Sequence, residues 1–133
     1  MKTKLFFIGI IAAVVLVIGS CTKAGTGGNA TVICKVFNSD NNGAAVNGAT
    51  VYVKYGQSTP PGAGNTGYDD HKTADANNNS VTFTGLKQGT YYFYAEASIP
   101  TSATPATVSG GGPFSLTRAN RNGTSNATVS VAY

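Results

Sequence analysis

The chain has little of what catalytic sites are usually built from. It holds one histidine, His71, two cysteines, Cys21 and Cys34, and five acids, with charged residues 11% of the 133. A catalytic thiol needs a histidine close by, and His71 is the sole candidate. Cys34 instead stands in ATVICKVF, sharing a strand face with Val32 and Val36, where a lone cysteine reads as a small buried hydrophobe. No serine or cysteine sits at a recognisable spacing from a base, and nothing selects two of the five acids as a glycoside-cleaving pair. A non-enzyme with no cofactor is expected. After residue 20 there remain seven basic residues (Lys23, Lys35, Lys54, Lys72, Lys87, Arg118 and Arg121) against five acids, a balance of +2. They are scattered, which argues against a nucleic-acid partner. Helical periodicity is also missing from that part of the chain.

What is present begins with an address. Lys2 and Lys4 precede the apolar run Leu5–Ile18, which closes in Ile18-Gly19-Ser20-Cys21. The run is too short for a spanning helix and carries small residues before the break, as a secretory signal does. The small-small-Cys ending resembles the lipobox of bacterial lipoproteins, in which the cysteine is diacylated and becomes the new N-terminus. Residues 1–20 are therefore expected to be a cleaved lipoprotein signal peptide, with Cys21 the lipidated residue and 21–29 a flexible tether. The protein is expected to be lipid-anchored at the outer membrane, facing either the periplasm or the surface. With Cys21 acylated, Cys34 has no partner for a disulfide.

Residues 30–133 carry the marks of strands and turns. Thr31–Phe37, Ala49–Tyr55, a short edge strand over Tyr68–Thr73, Phe114–Ala119 and Ala127–Tyr133 alternate as strands do. The stretch Lys72–Ala97 reads as a β-hairpin, with turn residues at Asp75 and Asn77–Asn79. In it Val81 and Phe83 lie on one face, Leu86 plugs the connection, and Tyr91, Phe93, Ala95 and Ala97 alternate with Tyr92, Tyr94 and Glu96. Gly56–Gly67 and Pro100–Gly112 read as long loops, and the last two strands as a pair joined around Asn122-Gly123. The fold class expected is all-β: one antiparallel β-sandwich of about seven strands. Val32, Val36, Val51, Val53, Phe83, Leu86, Tyr91 and Phe93 form its core.

Three pieces resemble transthyretin-like domains of the carboxypeptidase regulatory type, within the Ig-like class of sandwiches. They are Val32-x-Cys34-x-Val36 with Val46-Asn47-Gly48-Ala49-x-Val51-x-Val53, Thr73-Ala74-Asp75, and Phe83-Thr84-Gly85-Leu86-Lys87-Gln88-Gly89-Thr90-Tyr91. The resemblance implies a fold, with Tyr91 returning its hydroxyl to a loop carbonyl, and leaves function open among binding, structural and linker roles. The collagen-adhesin repeats of similar fold close a Lys–Asn bond. Lys35 and Glu96 sit near the matching places, but Asn126 lies at the wrong end of its strand. The hydroxyisourate hydrolases need several histidines, which the chain lacks.

Two sets of side chains remain as candidate sites. Asp69, Asp70 and Asp75 supply oxygen atoms for a hard cation, although their spacing matches no calcium loop; no metal is expected. Tyr52, Tyr92 and Tyr94 point outward if Tyr91 and Phe93 point inward, which sets Tyr92 and Tyr94 about 7 Å apart along one strand. Such rings suit stacking on sugars. Two functions follow from different classes. One is a structural or accessory subunit that docks on a protein partner in the envelope. The other is a carbohydrate-binding module that takes a polysaccharide on its tyrosines.

Overall fold

A computed structural model describes residues 23–100 and 104–133. The expected signal peptide, Cys21 and its lipid lie outside the described residues. Alternation of apolar and polar residues yields eight strands: β1 Thr26–Asn38, β2 Ala44–Ala45, β3 Thr50–Tyr55, β4 Asp70–Thr73, β5 Ser80–Leu86, β6 Gly89–Ile99, β7 Ala106–Leu116 and β8 Thr124–Val131. They form two four-stranded sheets. The back sheet is built around β1, which pairs β5 and β2 along one edge and β8 along the other; the front sheet runs β4-β3-β6-β7. The protein is an all-β sandwich, as the alternation implies.

The core lies between the sheets. Every residue expected there is buried, Tyr91, Val32, Val51 and Val53 with no exposed surface at all. Phe83 of the back sheet and Phe93 of the front sheet meet at 5.6 Å between ring centroids, and Phe114 caps Phe93 edge-on at 5.9 Å. Leu86 reaches the core through a break in the alternation. Gly85 takes φ +70°, which turns the next residue inward and shifts the β1–β5 register there. Cys34 is fully buried in β1, and burial raises its thiol pKa far above the ordinary value, which leaves it inert.

Four expectations need correction. Lys72–Ala97 is not a hairpin: β5 pairs β1 and β6 pairs β3 and β7, so Lys87-Gln88 carries the chain from one sheet to the other. Pro100–Gly112 is not all loop, since β7 begins at Ala106 and stays paired with β6 from Ile99↔Ala106 to Gly89↔Leu116. The glycines Gly110–Gly112 hide the alternation there because they have no side chains to alternate. The last two strands do not pair as a hairpin; β8 lies parallel to β1 over Thr31↔Thr124 to Asn38↔Val131, so the back sheet is mixed. Finally, the chain joins the fold before residue 30. Ala24 and Gly25 are buried, and Gly25 N–H donates to the Tyr91 hydroxyl at 3.1 Å.

The two flanks of the sandwich close differently. On one, β7 and β8 touch through the bridge Ser109↔Ala132, with hydrogen bonds of 2.9 and 3.0 Å. On the other, Lys72 of edge strand β4 donates to the Thr82 carbonyl of β5 at 2.6 Å, with its ammonium 5.5 Å from the centre of the Phe83 ring. A lysine on an edge is a common guard against strand-to-strand association.

Candidate functional site

The pairing registers of the front sheet bring its outward side chains into rows. His71 of β4 stands opposite Tyr52 of β3, Tyr52 opposite Tyr94 of β6, and Tyr94 opposite Gly111 of β7. The neighbouring rows are Lys54–Tyr92–Pro113 and Thr73–Thr50–Glu96–Ser109. Cross-strand neighbours on one face are close enough for rings to touch. Tyr52 lies 6.1 Å from Tyr94 and stacks on His71 at 5.5 Å.

Sequence reasoning reached Tyr52, Tyr92 and Tyr94 and missed the residue that ties two of them together. Tyr68, near the end of the loop between β3 and β4, stacks on Tyr94 at 5.7 Å and tilts against Tyr52 at 5.8 Å. The same loop supplies Asn65, whose amide donates to Tyr52 Oη at 3.2 Å and to Glu96 Oε1 at 2.9 Å. Tyr52 Oη donates to that same carboxylate oxygen at 2.8 Å. The loop is therefore laid back over the front sheet. Its far end is fastened by Asp69, which accepts from Lys54 Nζ at 2.9 Å and from the Tyr55 N–H at 2.7 Å. A single sequence gives no means of placing a loop tyrosine over a strand far away in the chain. The one available signal was that Tyr68 is the loop's only aromatic residue.

The electrostatics of this face follow from burial. Burial pushes the Tyr68 phenol up to about 12, and among the described residues its hydroxyl oxygen is buried without a hydrogen-bond partner. Burial, then the hydrogen bond to Glu96, raises the Tyr52 phenol as well. Tyr52 and Tyr68 are thus neutral phenols at physiological pH. Burial alone would raise the Asp69 carboxyl, but the Tyr55 N–H and the Lys54 ammonium outweigh it and hold the pKa below its ordinary value. Tyr92 stands apart from the stack. Its ring leans over β7, with Cε1 and Oη at 2.9 and 3.0 Å from the place where a β-carbon on Gly111 would sit. The Phe93 carbonyl oxygen lies nearer still, at 2.5 Å, so the backbone itself calls for a glycine there.

The three aspartates do not converge. Asp69 is engaged by Lys54 and Tyr55, Asp70 accepts from the His71 N–H at 2.8 Å, and Asp75 lies in the turn beyond the other end of β4. Among the described residues no three His, Cys, Asp or Glu side chains gather as metal ligands. Lys35 and Glu96 lie on the outer faces of opposite sheets, so no Lys–Asn crosslink of the collagen-adhesin kind can form with Glu96 beside it.

By fold, then, the chain is an all-β sandwich that carries an aromatic cluster, with one amide and one carboxylate bonded to it, on one outer face. No family model and no curated protein matches it. Among solved structures it is similar to a Pseudomonas aeruginosa protein provisionally described as a carbohydrate binding protein. The TM-score is 0.54 at 12% identity, over 80% of this chain and 91% of that one. At that identity the likeness speaks for the shared sandwich.

Proposed function

We propose that the protein is a non-enzymatic, lipid-anchored module of the outer membrane that binds a carbohydrate chain on the outer face of its front sheet. The observation that carries this reading is the gathering of Tyr52, Tyr68, Tyr94, His71, Asn65 and Glu96 on a face that the core does not need, with Tyr92 in the next row of the same face. A sugar ring presents an apolar C–H face and a rim of hydroxyls. Aromatic faces match the first, and amide, carboxylate and phenol groups match the second. The description of the P. aeruginosa neighbour supports the same ligand class. Tyr92 is the ring best placed for stacking, because it alone of the four tyrosines makes no ring contact with the others.

The test is a polysaccharide pull-down and glycan array on the soluble chain from Thr22, which contains every described strand and every described core residue. Tyr92→Ala is expected to weaken binding about tenfold or more while its melting temperature holds. Binding that survives Tyr92→Ala removes Tyr92 from the site. Absence of binding to any polysaccharide by the unaltered chain overturns the reading.

A second reading has its own observation. Tyr68 and Asn65 already occupy Tyr94, Tyr52 and Glu96, so the cluster also serves to fasten a loop, as a structural subunit docking on an envelope protein would require. Crosslinking in intact cells that recovers a stable partner, together with a silent glycan array, would select it.

Anchoring rests on Ile18-Gly19-Ser20-Cys21, since two acyl chains hold a protein to a membrane where one holds it marginally. The unaltered protein is expected to stay with membranes through a high-salt wash and Cys21→Ser to be released by it. Retention of Cys21→Ser after the wash would sink the anchor.

A further inference from the structure

The end of the sandwich at which the chain enters is the positive pole of the molecule. Four segments meet there: residues 23–25, the loop between β3 and β4, the sheet-to-sheet connection Lys87-Gln88, and the loop 117–123. They contribute Lys23, Lys87, Arg118 and Arg121. Their one acid, Asp69, is already paired with Lys54. Among the described residues Lys23, Lys87, Arg118 and Arg121 make no salt bridge, and Asp70, the first residue of β4, is the other acid placed toward this end. At the opposite end the loops carry Asp40 and Asp75 and no basic residue. The scatter of basic residues along the sequence thus resolves into a sorted distribution in space.

This pole also has a shape. Lys87 and Arg121 line a hollow of about 400 Å³ together with Gly27, Gly28 and Asn29. Its two glycines lie in close quarters. A β-carbon on Gly28 would fall 2.1 Å from the Leu86 carbonyl oxygen, and one on Gly27 would fall 3.3 Å from Lys87 Cε. Exposed Arg121 and half-buried Lys87 therefore face a recess bordered by backbone and amide groups, which suits a phosphate oxygen.

We propose that this basic end is a contact surface for an anionic membrane, with Lys87 and Arg121 receiving headgroup phosphates. The choice of a membrane over another polyanion rests on the anchoring reading. Lys23 follows Cys21 by two positions, so a lipid on Cys21 would hold this end, and no other, at headgroup level. Each basic residue at such a surface strengthens binding on the order of fivefold, and salt screens the effect. The contact would orient the sandwich upright, with Asp40 and Asp75 directed away from the bilayer.

The experiment uses the soluble chain from Thr22, which lacks Cys21, so its failure leaves the anchor standing. Co-sedimentation at low salt is measured with phosphatidylglycerol–phosphatidylcholine vesicles and with phosphatidylcholine vesicles alone. Binding to the mixed vesicles only is expected. Arg121→Glu and Lys87→Glu should each weaken it on the order of fivefold or more. Lys35→Glu makes the same change of charge on the outer face of the back sheet, and should leave binding within about twofold. No preference for the anionic vesicles overturns the proposal. An equal loss in Lys35→Glu also overturns it, because binding would then follow net charge rather than this end of the fold. Binding to single-stranded DNA that matches vesicle binding, and falls in the same two variants, would reassign the surface to nucleic acid.

Discussion

Tyr91→Ala is expected to lower the unfolding free energy by about 3–5 kcal/mol, and Tyr91→Phe by about 1–3 kcal/mol. The ring accounts for the difference between the two. It is fully buried, stacks on Phe93 at 6.4 Å, and receives Tyr55 edge-on at 5.8 Å. Truncation removes those contacts and leaves a cavity. The hydroxyl accounts for the smaller figure. It accepts from the Gly25 N–H at 3.1 Å and donates to the Lys87 carbonyl, so one oxygen joins the first residues of the fold to the sheet-to-sheet connection. Phenylalanine leaves a buried N–H and a carbonyl without partners, and an unpartnered group costs more than the bond it loses. Urea unfolding with an unchanged slope is the measurement. A Tyr91→Phe cost well under 0.5 kcal/mol would mean that water replaces the phenol, and that the entering chain is not held by this corner.

Tyr91 also marks how far the sequence could be read. Its place in Leu86-Lys87-Gln88-Gly89-Thr90-Tyr91, and the inward set Phe93, Ala95 and Ala97, follow from alternation, because one face of β6 is core and the other is not. Whether β5 and β6 pair with each other does not follow. A short glycine-flanked connection can reverse a strand within one sheet or pass it to the facing sheet, and the local pattern is the same in both. β7 escaped notice for a different reason: three of its residues are glycines, and a pattern needs side chains. On the front face, the outward direction of Tyr52, Tyr92 and Tyr94 was legible from the same pleat, but their register was not. It takes the observed pairing Tyr52↔Tyr94 to make two outward tyrosines into neighbours. Tyr68 and Asn65 come from a loop, where no period operates at all. The sorting of charge to one end was invisible for a related cause. Lys23, Lys87 and Arg121 are far apart in sequence and are joined by the order of strands.

Gly110→Ala and Gly112→Ala, two positions apart in β7, are expected to change stability in opposite directions. Gly110 lies where β7 leans against β8. A β-carbon there would stand 2.1 Å from the Ser130 carbonyl oxygen and 3.0 Å from Val131 Cα, both backbone atoms of a strand fixed by its parallel pairing with β1. Neither strand can give way cheaply. Separating them also breaks the Ser109↔Ala132 bridge and its two hydrogen bonds. Overpacking against backbone and the loss of two modest bonds together cost roughly 2–4 kcal/mol. At Gly112 a β-carbon meets nothing within 4 Å, and the φ angle needs no glycine. Alanine there loses less backbone freedom on folding than glycine, a gain of about 0.5–1 kcal/mol. Urea unfolding of the two variants gives both signs, and hydrogen exchange at the Ala132 amide reports the bridge, which Gly110→Ala should open and Gly112→Ala should keep. If Gly110→Ala were as stable as the unaltered protein with Ala132 still protected, β7 and β8 would not be in contact. The sandwich would then be open on the flank where the structure closes it.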